Sequence, residues 1–372
     1  MKNVFYFTNI FPHYRKTIWS LLLNENNYNF EIFYSNKPTW GIKSTNLEEL
    51  NFEMSKIHIL KNYFLFGRII WQSTVLKTLF SKNYEIVFFT GEMSIISTWI
   101  GALVCRMFKK KVVFWGHGIY GNEGRIKKFF RILFLKLPHT NLVYENRAKQ
   151  LLIKEGIRSN KIKVIYNSLD YDLQLKLFQN LESKPQSEGN HFNNKLPIVI
   201  FVGRLSKTKK INLLIESIAM VNSKSPKVNM LIVGDGPEKS RLELIAKNDL
   251  SDNNFKFLGA IYDEIELSKL FYYSKVCISP GNIGLTGIHS LSYGTPVGSH
   301  NNFFNQMPEV EVIDDKKNGF LFEEDNIIEL SKKITSWINK NNNKNEIRNI
   351  IDLKYNPHFQ KSIFDSLIID ND

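Results

Sequence analysis

Residues 279–297 read SPGNIGLTGIHSLSYGTPV, and this stretch decides the fold. It predicts the end of a buried strand, a glycine-rich turn, a short helix beginning near Leu285 or Thr286, and a second glycine turn into another strand. Gly284 leaves room for a ligand at the helix start, where unpaired amide groups and the helix dipole attract an anion. The stretch therefore predicts a phosphate site.

Short apolar strands alternate with helical patterns along the whole chain. In the first half the predicted strands are 4–8, 30–34, 86–90, 112–115 and 142–144, and the predicted helices are 15–23, 67–80 and 94–108. In the second half the predicted strands are 198–202, 229–233, 255–258 and 276–279, and the predicted helices are 211–220, 238–246, 263–272 and 286–293. Buried strands that alternate with helices form parallel sheets covered on both faces. The fold class is therefore α/β, with two Rossmann-like domains that face each other across a cleft, and ligands of such sheets bind beyond the carboxyl ends of the strands.

A change in composition divides the chain. Residues 180–195 read NLESKPQSEGNHFNNK, a polar segment typical of a linker. We predict an N-terminal Rossmann-like domain over 1–175, a linker over 176–195 and a C-terminal Rossmann-like domain over 196–345. The end of the chain, 346–372, is expected to be helical and to pack on the first domain.

The composition is that of a globular protein, with 43% apolar and 23% charged residues among 372. The apolar run at the beginning is too short for a signal peptide, and the run near 95–104 is too short for a membrane span. Cys105 and Cys277 lack the spacing of a metal site and fit buried thiols in a reducing compartment. These features predict a cytoplasmic protein.

Charge is divided unevenly between the two halves. Residues 1–190 hold 27 Lys and Arg against 14 Asp and Glu, so the whole net charge of +13 belongs to the first half. This asymmetry indicates that the first domain meets an anionic surface or ligand.

Two strand ends in the second half carry polar motifs. GRLSKTKK follows the strand at 198–202 and places Arg204 and Lys209 after the turn at Gly203, where two cations can neutralise a diphosphate. A solvated lysine-rich loop is the alternative. GDGPE, with Gly234 and Asp235, follows the next strand and reads either as a simple turn or as part of the same ligand edge.

Two strand ends in the first half are candidates for the same cleft. WGHGIYG places His117 between two glycines, where it can contact a reacting group, although lone histidines are more often structural. FPHYR follows the first strand, and its His13, Tyr14 and Arg15 are candidate acceptor contacts or a packing cluster.

The segment GRIKKFFRILFLKLP, residues 124–138, predicts an amphipathic helix. One side carries Ile126, Phe129, Phe130, Leu133 and Leu137, and the other carries Arg125, Lys127, Lys128 and Arg131. Its apolar side can cover the sheet beneath a solvated basic face, or the basic side can face anionic lipid head groups. We favour the membrane surface as the anionic partner. Nucleic acid is not expected, because no recognition module is present.

Taken in order, these motifs resemble the retaining GT-B glycosyltransferases of family GT4. The resemblance rests mainly on FVGRLSKTKKINLLIESI, MLIVGDGPE, FKFLGAIY, SPGNIGLTGIHSLSYGTPV and VIDDKKNGFLF in the second half, and more loosely on WGHG and VIYNSLD in the first. It implies two facing Rossmann-like domains with the nucleotide-sugar donor held mainly by the second. Such enzymes usually need no metal, and we expect neither metal nor cofactor, with a UDP-sugar favoured over a GDP-sugar.

The resemblance also implies roles for individual residues. Arg204 and Lys209 hold the donor diphosphate, and His117 contacts the donor sugar. The donor-binding set is Gly203, Gly234, Asp235, Gly281, Asn282, Ile283, Gly284, Leu285, Thr286, His289 and Glu311.

The chain departs from the family pattern at two positions. Where that pattern has two glutamates eight positions apart, this sequence has Gly281 and His289. Imidazole can still bond a ribose hydroxyl, but Gly281 offers no carboxylate nucleophile. We therefore expect front-face attack, with the departing phosphate as the base. Glu311 matches a further acidic position of the family, and Glu309 competes with it for that role.

The predicted function is transfer of a hexose or N-acetylhexosamine, with retention, from a nucleoside diphosphate to a growing cell-surface glycan. The acceptor is expected to be linked to a lipid diphosphate at the inner face of the plasma membrane. Three alternatives stay open: a sugar-nucleotide 2-epimerase on the same fold, a homologue that binds donor without turnover, and an NAD-dependent enzyme. The last requires a GxGxxG turn, which the first strand end lacks.

Overall fold

The computed structural model describes residues 1–35, 53–67, 69–184, 191–225 and 227–369. The chain divides into two units, one made of Met1–Asp170 with Asn356–Asp372 and the other of Tyr171–Tyr355. In the described residues, each unit is built on its own parallel sheet with helices packed against it. The predicted α/β fold with two doubly wound sheets is confirmed.

The first unit contains a parallel sheet with strand order β3-β2-β1-β6-β7-β8-β9. Its strands, with those of a separate hairpin, are β1 (Lys2–Thr8), β2 (Tyr28–Ser35), β3 (Ile57–Leu60), β4 (Asn62–Leu65), β5 (Ile69–Gln72), β6 (Ile86–Thr90), β7 (Lys111–Gly116), β8 (Thr140–Val143) and β9 (Ile162–Val164). Its first helices are α1 (Lys16–Leu23), α2 (Val75–Ser81), α3 (Ile96–Met107), α4 (Arg125–Leu135) and α5 (Asn146–Lys154).

Strand β1 shows why the strands of this sheet are continuously apolar in sequence. Val4 and Tyr6 belong to the core on one face, and Phe5 and Phe7 belong to the core on the other. Successive side chains of a strand point to opposite faces, so a strand covered on both sides has to be apolar at every position.

The helix predicted over 67–80 is wrong in its first part. The structure has an antiparallel hairpin of β4 and β5 there, with Asn62 opposite Gln72 and Leu65 opposite Ile69, and α2 begins only at Val75. Aromatic and β-branched residues favour the extended chain, and Gly67 takes the positive φ of +70° that the turn requires.

The second unit contains a parallel sheet with strand order β12-β11-β10-β13-β14-β15. Its strands are β10 (Ile198–Val202), β11 (Asn229–Val233), β12 (Phe255–Gly259), β13 (Val276–Ser279), β14 (Val297–His300) and β15 (Gly319–Phe322). Its helices are α6 (Tyr171–Glu182), α7 (Ile211–Asn222), α8 (Lys239–Asp249), α9 (Glu264–Tyr273), α10 (Thr286–Ser292), α11 (Ile327–Asn339) and α12 (Lys344–Leu353).

Two further segments differ from the simple division read from composition. The predicted linker at 176–195 overlaps α6, whose Phe178 is buried in the core of the second unit, and its residues 185–190 lie outside the described residues. Composition marked the polar tail of this segment but not the amphipathic helix before it. The last helix, α13 (Pro357–Ile368), belongs to the first unit and buries Phe364 there.

Candidate functional site

The strand order of the second sheet reverses between the neighbouring strands β10 and β13. Strands β11 and β12 continue from β10 on one side, and β14 and β15 continue from β13 on the other. The loops after β10 and β13 therefore leave the sheet at a topological switch point, where ligands of doubly wound sheets bind. Thr286 fixes α10 at this point, because its Oγ1 donates to the Val202 carbonyl at the end of β10 at 3.0 Å.

The loop after β10 and the loop after β13 are joined by hydrogen bonds. The Gly281 amide donates to the Lys209 carbonyl at 3.0 Å, and Lys209 Nζ donates to the Asn282 carbonyl at 2.6 Å. A Cβ atom at Gly281 would lie 2.0 Å from the Thr208 carbonyl oxygen, so only glycine lets the loops approach this closely. Gly281 is thus the point of contact between the loops, and the backbone of 208–209 fills the space a side chain would need.

The two predicted cations lie on the loop after β10 in different environments. Arg204 is exposed, and its guanidinium makes no hydrogen bond or ion pair to the part of the chain that the structure describes. Lys209 is half-buried. Burial lowers the pKa of its ammonium below the usual value, and the charge of Glu309 acts in the opposite direction. Glu309 is buried, whereas Glu311 is half-buried. Of these two carboxylates, it is Glu309 whose charge acts on Lys209.

Some backbone amides of the glycine loop after β13 already have partners within the protein, and others have none in the part of the chain that the structure describes. The Ile283 amide donates to Oε1 of Gln306 at 2.8 Å, and the Ile283 side chain is fully buried. The prediction that Ile283 contacts a ligand is therefore corrected, because both its side chain and its amide are already used. The amides of Gly284 and Leu285 have no acceptor among the described residues, and open space surrounds the Gly284 Cα.

The loop after β11 packs on the loop after β10. The Gly203 amide donates to the Val233 carbonyl at 2.9 Å, and a Cβ atom at Gly234 would lie 1.8 Å from the Gly203 carbonyl oxygen. The exposed Asp235 accepts at Oδ1 from the Gly236 amide at 2.8 Å. The GDGPE motif therefore builds the wall behind the loop that carries Arg204.

His289 belongs to a polar network that motif reading missed. Its Nε2 lies 2.8 Å from Oε1 of Glu264, and the same oxygen accepts from Tyr293 Oη at 2.5 Å and from Gln174 Nε2 at 3.1 Å. Its ring packs 4.7 Å from that of Phe271. Burial favours a neutral Glu264 carboxyl, but the charge of His289 and these hydrogen bonds hold its pKa below the usual value.

Glu264 lies in the first turn of α9, and a carboxylate is favourable there because of the helix dipole. That position was the available signal in the sequence. Nothing in the spacing of 264 and 289 indicated that the two side chains meet.

In the first unit, His117 lies in an enclosed environment after β7. Burial, with the positive charges of Arg15 and Arg131, lowers the pKa of its imidazole to about 4. Its Nδ1 is buried and has no hydrogen-bond partner among the described residues, and its ring lies 4.9 Å from that of Tyr144. The imidazole is therefore neutral at physiological pH, and its buried Nδ1 has an unmet hydrogen-bonding capacity.

The FPHYR segment divides between surface and core. His13 is exposed and Tyr14 half-buried, but Arg15 is buried. The Arg15 guanidinium lies 4.2 Å over the Trp115 ring and donates to the Tyr144 hydroxyl. The prediction that Arg15 faces an acceptor is corrected, because its guanidinium is buried in cation–π and hydrogen-bonding contacts inside the first unit.

Helix α4 is oriented differently from the prediction. Arg131 is buried and its Nη1 donates to Oε1 of Glu123 at 3.1 Å, and Lys128 forms an ion pair with Glu155. Arg125 and Lys127 are exposed as predicted. The expectation that Arg131 faces a membrane is wrong, because a buried guanidinium requires a partner and Glu123 supplies it. No helix among the residues described has the length and apolar character needed to cross a bilayer.

A known family of proteins matches the part of the chain that contains the loops after β10 and β13. Residues 182–352 match the family model for glycosyl transferases group 1, and this region coincides closely with the second unit. The part of the chain that carries the switch point and its two bonded loops is therefore similar to the sugar-transferring members of that group.

Individual relatives extend the comparison. The chain is 30% identical over 238 residues to an uncharacterized glycosyltransferase of Haemophilus influenzae, covering 62% of this chain and 60% of that protein. It is 25% identical over 189 residues to the gpi3 subunit of the phosphatidylinositol N-acetylglucosaminyltransferase of Schizosaccharomyces pombe, covering 50% of this chain and 39% of that protein. The chain thus spans between about two fifths and three fifths of these relatives.

A solved structure covers the whole fold. The crystal structure of Anabaena Alr3699/HepE in complex with UDP superposes with a TM-score of 0.70 over 99% of both chains at 16% identity. This likeness shows that both units have the GT-B type of architecture.

Proposed function

We propose that this protein is a glycosyltransferase that moves a sugar from a nucleoside-diphosphate-sugar to a growing glycan with retention at the anomeric carbon. One observation carries the proposal: the loop bearing Arg204 and Lys209 is bonded to the open glycine loop at the switch point of the second sheet. The second unit, on this proposal, binds the donor, and the first recruits the acceptor.

The proposed chemistry relies on stabilising the leaving diphosphate. As the bond between the anomeric carbon and the diphosphate oxygen breaks, negative charge grows on the phosphate oxygens. Arg204, Lys209 and the free amides of Gly284 and Leu285 supply donors for that charge. The acceptor oxygen then attacks the same face of the sugar, and its proton passes to the departing phosphate. Because Gly281 has no side chain, no covalent intermediate is proposed there.

Further donor contacts follow from the surroundings of three side chains. His117, a neutral imidazole that makes no hydrogen bond to the described residues, is proposed to bond a hydroxyl of the donor sugar. His289 is proposed to bond a ribose hydroxyl, with Glu264 holding the imidazole in place through Nε2. Glu309 is preferred to Glu311 as the acidic residue beside the nucleotide, since its charge already acts on Lys209.

The choice of substrates rests on the relatives. We propose UDP as the nucleotide, in keeping with the UDP bound in the Anabaena protein, and a hexose or N-acetylhexosamine as the sugar. We also propose a lipid-linked acceptor at the inner face of the plasma membrane. The lipid part of this proposal is supported by the name of the fission-yeast relative, a phosphatidylinositol N-acetylglucosaminyltransferase subunit. No resident metal or cofactor is proposed.

A thermal-shift screen against UDP, GDP, ADP and their sugars tests the donor class first. Transfer is then followed as release of nucleoside diphosphate in the presence of acceptor. Arg204→Ala and Lys209→Ala are each expected to lower transfer at least tenfold, or about 1.4 kcal/mol in the barrier, because each removes positive charge from the leaving group. Lys207→Ala is the matched control, since Lys207 is exposed on the same loop.

Unchanged rates in both variants would refute the diphosphate assignment. Donor conversion that proceeds without any acceptor, with an epimerised sugar as product, would instead identify a 2-epimerase. A donor-induced thermal shift with no turnover across acceptors would identify a binding protein.

A further inference from the structure

The apolar face of α4 points outward. Ile126 is 77% exposed, Phe129 65% and Phe130 51%, and Leu133 continues the same stripe one turn further on. The helix instead buries Ile132, Phe134 and Leu135 against the sheet. Four large apolar side chains on eleven residues of helix are therefore left in water, which is costly unless another apolar surface covers them.

The hairpin of β4 and β5 adds to this surface. Phe64 and Leu65 at the end of β4 are about half exposed, and Phe66 in the turn is 96% exposed. Between the hairpin, α3 and α4 lies an open groove of about 1060 Å³. Its apolar lining is made by Ile69, Met93, Ile96, Trp99, Ile126 and Phe130. The hairpin contributes Ile69 to this groove, and α4 contributes Ile126 and Phe130.

The charged residues that line the groove in the described part of the chain are mainly basic, with Arg125, Lys127 and Arg131 against the carboxylate of Glu92. Arg125 and Lys127 are exposed and line the groove beside Ile126. Residues 1–190, which hold the surface, carry all of the net charge of +13. A second copy of the chain would bring the same positive charge to the contact, so charge complementarity favours an anionic partner over self-association.

We propose that the exposed face of α4 and the tip of the β4–β5 hairpin insert into the interface of an anionic lipid bilayer. The apolar side chains enter the boundary between head groups and acyl chains, and Arg125 and Lys127 remain at the level of the phosphates. This lipid-binding surface adds a contact site to the membrane location proposed above, and the choice of a lipid as the partner rests on that proposed function. The sequence predicted that the basic side of α4 contacts the membrane, whereas here the apolar side of α4 inserts into it.

Vesicle flotation of the full chain tests this proposal. Wild-type protein is expected to float with vesicles of phosphatidylcholine and phosphatidylglycerol and to bind pure phosphatidylcholine more weakly. The double variant Ile126→Ser/Phe129→Ser is expected to lower binding to the mixed vesicles at least tenfold. The matched control is Leu244→Ser/Ile328→Ser, which removes two similarly exposed apolar side chains from the second unit and should bind as wild type does.

Part of the binding should persist at 0.5 M salt, because insertion buries apolar area that salt does not screen. Wild-type protein that fails to float, or equal losses in both double variants, would overturn the proposal. So would binding that disappears completely at high salt, or a wild-type dimer in solution that Ile126→Ser/Phe129→Ser converts to monomer. The nucleotide thermal shift of each variant is recorded in parallel. Loss of vesicle binding with an intact shift separates this surface from the donor site.

Discussion

His117 shows how the surroundings of one residue set its chemistry. The buried imidazole sits near the positive charges of Arg15 and Arg131, which disfavour protonation, and its pKa falls to about 4. Arg15 was predicted to contact the acceptor, but it stacks on Trp115 beneath this site. Its charge adds to the effect of burial in lowering the pKa of His117, whose neutral ring has one donor and one acceptor nitrogen.

This lowered pKa predicts a dependence of stability on pH. The imidazole titrates near pH 6.5 in the unfolded chain and near 4 in the folded one, so between these values the unfolded chain binds the additional proton. The free energy of unfolding should therefore fall as pH drops from about 6.5 towards 4. His117→Asn should reduce this slope, as measured by urea denaturation at half-unit pH intervals. An identical slope in wild type and variant would mean that His117 has the same pKa in the folded and the unfolded chain.

Sequence reading at this scale identified side chains by type and position, but not their partners. Arg204 was predicted to be available for a ligand and is exposed, whereas Arg131 was predicted to be exposed and is buried against Glu123. Both are arginines in basic segments, and the difference depends on a carboxylate eight residues away. Glu264 was missed for the same reason, since its contact with His289 is made only in the folded chain.

The next scale is that of loops and helices, where the contact at Gly281 decides how the donor loop is built. Gly281→Ala places a methyl group against the backbone of 208–209 and should lower the free energy of unfolding by about 1–3 kcal/mol, the usual cost of overpacking. Gly284→Ala is the control three residues away, where a Cβ atom meets open space and the change should be below about 0.5 kcal/mol. Chemical denaturation measures both, and equal stabilities would show that the loops separate freely.

Elements were predicted well wherever burial on both faces made the sequence continuously apolar, as in β1, β6 and β10. The first part of the prediction over 67–80 was wrong because the exposed hairpin is rich in apolar residues whose spacing resembles that of a helical face, whereas α2 does occupy Val75–Ser81. The wheel of α4 placed an apolar stripe on one side and Arg131 with the other basic residues on the opposite side, but the structure buries Arg131 together with Ile132, Phe134 and Leu135. The wheel gave no means of deciding which side the sheet would cover, since Arg131 and the apolar stripe exchanged the expected roles.

At the scale of the whole molecule, the last helix of the chain, α13, belongs to the first unit and packs in its core. The chain leaves that unit after Asp170 and returns at Asn356. Helix α13 then stacks Phe364 on Phe88 with ring centroids 4.7 Å apart, and Lys361 pairs with Glu25 and Asp365. The core of the first unit is therefore complete only when the C-terminal segment has folded onto it, and the second unit is inserted between two parts of the first.

This connectivity predicts a local effect of a distant substitution. Phe364→Ala removes a fully buried ring and should destabilise the first unit by about 3–5 kcal/mol. Hydrogen exchange followed by mass spectrometry should then show faster exchange in β1 and β6, with β10 and β13 unchanged. Ser362→Ala, at an exposed position of the same helix, serves as the control. Faster exchange in all four strands would contradict the prediction, because it would mean that the two cores unfold together and that α13 supports both.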